Sequence, residues 1–224
     1  MKIGVIGAMP EEILLIKNKL GNLKESEVNG TTYYSGTLFN KDIVLVKCGV
    51  GKVNAAIITQ TIINKHDVSY IINIGIAGAL QESLNIADVV VSTDLVQHDV
   101  NAQTFGYDLG QVPSMDTFAF KADDKLISIA KNMPNIFLGR IASGDQFIAE
   151  SKKKEFIKNT FNAVCVEMEG AAIAQTCYVS NIPFIVIRSI SDRASGNAFS
   201  EFEENMDVAI KNSTSVLEKM VKEL

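Results

Sequence analysis

Residues 163–194 read AVCVEMEGAAIAQTCYVSNIPFIVIRSISDRA, and the fold class turns on this stretch. An apolar run leads into an Ala-rich segment of helical character. A second apolar run follows, bounded by Pro183. The pattern predicts a strand–helix–strand crossover with both strands parallel and buried, in a domain of the α/β class. Glu167 and Glu169 close the first strand and Asp192 closes the second. In a parallel sheet the carboxyl ends of neighbouring strands lie at one edge, and ligands bind there. Three carboxylates beside Arg188, Ser189 and Ser191 are therefore expected at one polar mouth above an apolar core. A lone acid at a strand end is common. The weight lies in the pair: Met168-Glu169 and Ser191-Asp192 end adjacent elements at matching depth.

Working outward, residues 2–6 form a short β-run and Gly7-Ala8-Met9 turns the chain. Pro10 suits the first position of a helix, where its missing N–H costs nothing. Glu11 and Glu12 fall in that first turn. The helix dipole favours acids there, which is one sufficient reason for them. It also keeps such a carboxylate ionised, and an ionised carboxylate can act as a base toward water. Residues 31–38 and 42–47 read as a hairpin with Asn40 at the turn. Gly49-Val50-Gly51-Lys52 leads into a helix over residues 53–64. Its spacing is wrong for a P-loop, no Ser or Thr follows the lysine, and it lacks the third glycine of a dinucleotide fingerprint. Close backbone approach to a ligand or a neighbouring strand is the better account of these glycines.

Residues 70–74 read as a buried strand, and Gly75-Ile76-Ala77-Gly78-Ala79 as a loop. That loop has no side chain capable of chemistry, but its small residues and backbone N–H groups suit a flat ligand. Residues 87–92 form another strand. Residues 98–115 lack periodicity and carry two exposed-looking aromatics, Phe105 and Tyr107. A loop this long in a compact domain is usually functional or interfacial, and a subunit contact is favoured here over a plain surface loop. Residues 122–133 are helical and residues 136–141 form a strand, with Ser143-Gly144-Asp145-Gln146-Phe147-Ile148 following at the same edge. Phe147 is the aromatic expected to stack on a planar ligand. Lys152-Lys153-Lys154 lies on a helix whose other side carries Phe156 and Ile157, a solvated face rather than a nucleic-acid patch. The last helix, residues 199–224, places Phe199, Phe202, Met206, Ile210, Leu217, Met220 and Val221 on one stripe, with Phe199 near the site.

Composition narrows the class. The 224 residues, 47% hydrophobic, fit one domain over residues 1–224 with a sizeable core. No stretch is long and apolar enough to span a bilayer, and the N-terminus turns acidic too early for a secretory signal. A net charge of −5 does not favour a nucleic-acid partner. Cys48, Cys165 and Cys177 are odd in number, have no CxxC spacing and sit in apolar settings, as reduced core residues of a cytoplasmic protein do. With only two histidines, His66 and His98, a histidine-based metal site is not expected. No cofactor is implied.

Seven motifs then occur in order along nearly the whole chain: IGVIGAMPEE, GVGKVNAA, INIGIAGAL, FGYDLGQVP, SGDQFI, VEMEGAAIAQTCY and VIRSISD. Each alone is weak. Together they closely resemble the 5′-methylthioadenosine/S-adenosylhomocysteine nucleosidases of the nucleoside phosphorylase superfamily. The resemblance implies a central twisted mixed β-sheet flanked by helices in three layers, and hydrolysis of an adenine nucleoside. It assigns Glu12 to the acid that activates water and Asp192 to the acid that protonates the purine at N7. Met168 and Glu169 match the ribose-binding pair, and Phe147 the aromatic on adenine. The backbone of Ile148 matches the reader of adenine's Watson–Crick edge. Arg188 and Ser191 match polar support residues. Met9, Val50 and Phe199 match the apolar wall around the ribose and alkylthio group. Phe105 and Pro113 match residues lent by a partner subunit, which implies a homodimer. Ile76-Ala77-Gly78 departs from the family's Ser-Ala-Gly and so removes a hydrogen-bonding hydroxyl beside ribose and water. Two residues are also missing between Asp192 and Phe199.

The residues suit that reaction. Cleaving an N-glycosidic bond needs an acid for the leaving base and a carboxylate for the attacking water, across an oxocarbenium-like transition state. A desolvated pocket is expected to raise the pKa of Asp192, while Glu12 at a helix start stays charged, so that the two are pushed apart. A phosphorylase using phosphate is the first alternative. It needs cationic clamps, and the chain has only Arg140, Arg188 and Arg193 as arginines. A hydrolase of a menaquinone-pathway nucleoside and a non-catalytic nucleoside-binding sensor are the others.

Overall fold

The longest strand, β5 (Tyr70–Ala79), is buried along nine of its ten residues and organises the molecule. A computed structural model describes all 224 residues, Met1–Leu224. Before β5 come β1 (Lys2–Gly7), α1 (Pro10–Lys17), β2 (Gly21–Val28), β3 (Thr31–Leu38), β4 (Lys41–Lys47) and α2 (Lys52–His66). After it come β6 (Val89–Gln97), β7 (Phe120–Lys121), α3 (Asp124–Lys131), β8 (Ile136–Ser143) and α4 (Ser151–Phe161). The chain ends with β9 (Cys165–Glu167), α5 (Gly170–Ser180), β10 (Phe184–Asp192) and α6 (Ala198–Glu223). The ten strands form one mixed sheet, ordered β10-β6-β8-β9-β5-β1-β4-β3-β2, with β7 on β6. Because β10 also pairs with β5, strands β5, β10, β6, β8 and β9 close into a ring. Helices flank the sheet in two groups, α6 packing with α1 and α3, and α2 with α5.

One edge of β5 changes partner, and the change opens the site. Residues Tyr70 to Asn73 pair with β1, and Gly78 and Ala79 pair with β9. Between them that edge of β5 has no strand beside it. The opposite edge pairs with β10 from Ile71 to Gly78, with a bulge between Ile190 and Asp192. Bulges re-aim side chains and recur beside active sites.

Several sequence expectations are corrected here. Strands β9 and β10 are not parallel: β10 runs with β5, whereas β9 runs against it. The ring closure explains this, since β9 enters from the tip of β5. Its pairings of Cys165 with Ala79 and Val166 with Gly78 carry the chain back toward Ala77 and Ile76. The carboxylates therefore meet as expected, but from the opposite direction. Residues 75–79 are strand rather than loop, because Gly75 to Gly78 pair with Arg188 to Asp192 and Ala79 pairs with Cys165. Strand β2 carried no apolar alternation to read; it is an exposed edge held by pairing with β3. Phe156 on α4 is exposed, and Ile157 and Phe161 alone bury that helix's inner face. Apart from Phe199, which is exposed, the stripe on α6 lies against β10 and β5 as the periodicity predicts. All three cysteines are free and buried. No helix is long and apolar enough to cross a membrane.

Candidate active site

Glu12 is the third residue of α1, and its carboxylate turns back over the helix start. Its Oε2 accepts the Ala8 N–H at 2.6 Å and the Met9 N–H at 3.0 Å. The second is one half of a capping box, which explains why a Glu three residues after the turn folds inward. Its Oε1 accepts the Ile76 N–H at 3.3 Å, a donor left free where β5 has lost its neighbouring strand. Glu12 is only 4% exposed. Burial lifts its pKa above the ordinary value, against the opposing pull of Arg188 and the three N–H groups. Its helix-start position was expected to keep it fully charged, and desolvation outweighs that.

Asp192 ends β10 beyond the bulge. Its Oδ1 accepts the Ala194 N–H at 2.8 Å and its Oδ2 accepts the Ser191 hydroxyl at 2.9 Å. Burial raises its pKa too, opposed by those two donors. The two acids are thus shifted in the same direction, not apart as the sequence led one to expect. They differ instead in their partners: a buried guanidinium stands near Glu12, and none touches Asp192.

Arg188 lies fully buried beneath the cavity. Its guanidinium pairs with Glu167, donates to Asn73 Oδ1 at 2.6 Å, and stands 3.7 Å from Glu169 Oε2. Burial works against its charge, but Glu167, Glu12 and Glu169 outweigh that and raise its pKa. Glu167 is held by more than Arg188. Its Oε2 accepts the N–H groups of Glu169 and Gly170 at 3.1 and 2.7 Å, and Ser143 donates its hydroxyl to Oε1. Glu169, just before α5, accepts the Gly51 N–H at 2.8 Å. Burial, reinforced by Glu167, pushes the Glu169 carboxyl up to about 8.

These groups open onto one cavity of about 100 Å³. Of the residues expected from sequence, Met9, Glu12, Val50, Ile76, Ala77, Gly78, Phe147, Ile148, Met168, Glu169, Ser191 and Asp192 line it. Phe147 is half exposed at the rim and meets Phe202 edge-on, with ring centroids 6.1 Å apart. Four expected residues are not part of the lining. Arg188 acts from below it. Phe199 is 62% exposed and points away, and Phe202, one turn further along α6, takes the wall position. Phe105 and Pro113 are exposed on the irregular segment after β6. Glu167, expected among the three carboxylates at the mouth, also lines the cavity, as do Ala8, Gln146 and Val166, which were not singled out for it. Glu167 was readable as a strand-end acid, but nothing local marked it as the partner of Arg188. No group of three or more His, Cys, Asp or Glu side chains is arranged to hold a metal ion.

The family model of the phosphorylase superfamily matches residues 2–222. A 5′-methylthioadenosine/S-adenosylhomocysteine nucleosidase of Staphylococcus carnosus is 46% identical over 228 residues, covering 99% of this chain and all of that protein. The structure of Streptococcus pneumoniae MTA/SAH nucleosidase with 8-aminoadenine superposes with a TM-score of 0.97 at 40% identity, covering both chains fully. The futalosine hydrolase of Helicobacter pylori superposes with a TM-score of 0.96 at 35% identity, over all of this chain and 98% of that one. The chain belongs to the phosphorylase superfamily and, within it, to the family of the 5′-methylthioadenosine/S-adenosylhomocysteine nucleosidases.

Proposed function

We propose that this chain, acting as one domain, hydrolyses the N-glycosidic bond of 5′-methylthioadenosine and S-adenosylhomocysteine, releasing adenine and the thioribose product. The observation that carries the reading is that Glu12 and Asp192, 180 positions apart in sequence, line one cavity together with Glu169 and Phe147. Glu12 takes a proton from water as the water oxygen bonds to C1′ of the ribose. The electron pair of the broken C1′–N9 bond passes to the adenine, and Asp192 supplies the proton at N7. A raised pKa fits both tasks, making Glu12 a stronger base and favouring the protonated form of Asp192. Glu169 accepts the ribose hydroxyls, and its negative charge favours the developing cation on the sugar. Phe147 stacks on the base.

Water is favoured over phosphate by charge. Glu12, Glu167, Glu169 and Asp192 line the cavity, and no Lys or Arg does. Arg188 is committed to Glu167 and Asn73, Arg140 to Asp94, and Arg193 to Glu201. A phosphate dianion would meet carboxylates without a cationic clamp.

The exposed Phe105, and the exposed Val53 and Ile57 on α2, support a homodimer in which the partner lends Phe105 and Pro113 to the site. The test is release of free adenine from methylthioadenosine in phosphate-free buffer. Release without phosphate supports the hydrolase, dependence on phosphate supports a phosphorylase, and no release supports a binding protein. A second reading, cleavage of futalosine, is favoured by the likeness to the Helicobacter pylori enzyme. The same assay with futalosine decides it.

A further inference from the structure

The motif Gly49-Val50-Gly51-Lys52 contributes Val50 to the cavity wall and the Gly51 N–H to Glu169, which leaves Lys52 unexplained. Lys52 opens α2 and is tied twice to the segment that follows β8. Its backbone N–H donates to Asp145 Oδ1 at 2.7 Å. Its ammonium donates to Asp99 Oδ1 at 2.7 Å, and Asp99 Oδ2 accepts the Asp145 N–H at 2.9 Å. Lys52, Asp99 and Asp145 therefore form a closed hydrogen-bonded cycle in which each residue is held by the other two. The ammonium also donates to Gln97 Oε1, and Gln97 donates on to Gln175 of α5. The Lys52 and Asp99 side chains are each 17% exposed, so their pairing is better shielded than a surface ion pair.

The position of the cycle gives it a purpose. Asp145 precedes Phe147 by two residues and Ile148 by three, and the chain between them has no regular secondary structure. Gly144 packs on the imidazole of His98, so close that a Cβ would stand 2.4 Å from Nε2. Gly51, at φ 98°, brings its own α-carbon to Asp145; a Cβ there would lie 3.1 Å from Oδ1. Consecutive N–H groups, of Gly51 and Lys52, thus hold Glu169 on one side and Asp145 on the other. We infer that Lys52 is a positioning residue for base recognition: through Asp99 and Asp145 it fixes the segment carrying Phe147 and Ile148 relative to Glu169. This rests on the reading of Phe147 and Ile148 as the adenine-facing edge.

The experiment is calorimetric binding of adenine and of free methylthioribose to the full chain, its Lys52→Met variant and its Asp99→Asn variant, with thermal midpoints recorded alongside. Lys52→Met keeps the backbone N–H to Asp145 and removes the ammonium. Loss of a charged hydrogen bond predicts adenine binding weakened about tenfold in either variant. Methylthioribose binding should change by less than about twofold, since the Gly51 N–H still holds Glu169. In turnover of methylthioadenosine, KM should rise with kcat nearly kept, and the double variant should be no worse than the poorer single one. Unchanged adenine affinity, equal weakening of both ligands, or additive losses would overturn the inference. Asp99→Asn serves if Lys52→Met does not fold. Adenine affinity relative to wild type reads the cycle independently of turnover. A wild-type chain that binds adenine but leaves methylthioadenosine intact counts against the proposed reaction alone.

Discussion

The α-carbon of Gly75 packs against the carboxylate of Glu12, so closely that a Cβ would lie 2.5 Å from Glu12 Oε1 and 2.8 Å from Arg188 Nη1. Three residues along the same strand, Gly78 does the same for Asp192, with a Cβ 2.8 Å from Oδ1. At about 3.3 Å per residue, roughly 10 Å of β5 separates the two contacts. Residues 75–79, whose small residues the sequence suggests as a loop for a flat ligand, are thus the strand floor against which both acids rest.

The first prediction concerns Gly75→Ala. The added methyl has only buried side chains to displace, so it must move Glu12 or Arg188. Displacement by a fraction of an ångström to an ångström is expected to cost about 10²-fold in kcat. Adenine affinity should hold, because the base end of the cavity lies further along β5. Glu12→Gln keeps the shape and removes the base, with an expected loss of about 10²–10⁴-fold in turnover while ligand still binds. Single-turnover kinetics beside calorimetry separates the two effects. Loss of binding with normal chemistry per bound ligand would remove Glu12 from the mechanism.

Asp192→Asn should lower turnover by a similar factor, because the amide cannot give its proton to N7. Gly78→Ala should reproduce part of that loss by crowding Oδ1. Both variants should be rescued with substrates whose leaving base needs no protonation, such as a nitrophenyl riboside. A variant at Asp192 that turns over methylthioadenosine at near the normal rate would exclude it as the acid.

The reach of the sequence follows from what each signal depends on. Glu12, Glu169 and Asp192 were legible because each lies at the start or end of a patterned element, and the pocket gathers the termini of elements. The stripe on α6 was legible because a 3.6-residue period needs only local spacing. Ring closure was not, since it depends on β10 pairing with both β5 and β6, and no local pattern encodes that. The direction of β9 and the strand character of residues 75–79 were lost with it. Phe202 stood in the same stripe as Phe199, and the periodicity alone does not say which of the two faces the cavity. The upward shift at Glu12 could not be read either, because burial is a property of the assembled core.

The third prediction concerns pH. The Glu169 carboxyl sits at about 8 in the fold against an ordinary 4.5, so the folded chain binds its proton more tightly than the unfolded chain. Its contribution to stability is therefore full below the ordinary value and is lost as pH rises through about 8. Glu12 and Asp192, also raised by burial, add in the same direction. The thermal midpoint of the free chain should fall across that window, and Glu169→Gln should flatten the fall. If ribose hydroxyls donate to the ionised carboxylate, as proposed, nucleoside binding should strengthen over the same window and lose that dependence in Glu169→Gln. A free-chain midpoint that rises with pH over this interval would contradict the assignment.

Ile76→Ser tests the departure from the family's pattern. The Ile76 side chain, 9% exposed, belongs to an apolar cluster with Ile210 of α6, against which Met9, Phe202 and Met206 pack. It therefore fastens the start of α6 to the cavity wall while its N–H serves Glu12. Replacing it with serine removes that packing, at a cost of about 2 kcal/mol. For a chain of this length that is a midpoint lowered by roughly 4–8 °C. The hydroxyl it introduces restores the one that the family resemblance places near ribose and water, where it is proposed to help hold the attacking water. Stability and turnover should therefore move in opposite directions: the variant melts earlier and releases adenine faster per bound substrate. Scanning calorimetry and adenine release on the same preparation check both signs. A slower variant would mean that the apolar cluster, through Met9 and Phe202, contributes more to holding the substrate than a hydroxyl contributes to orienting the water.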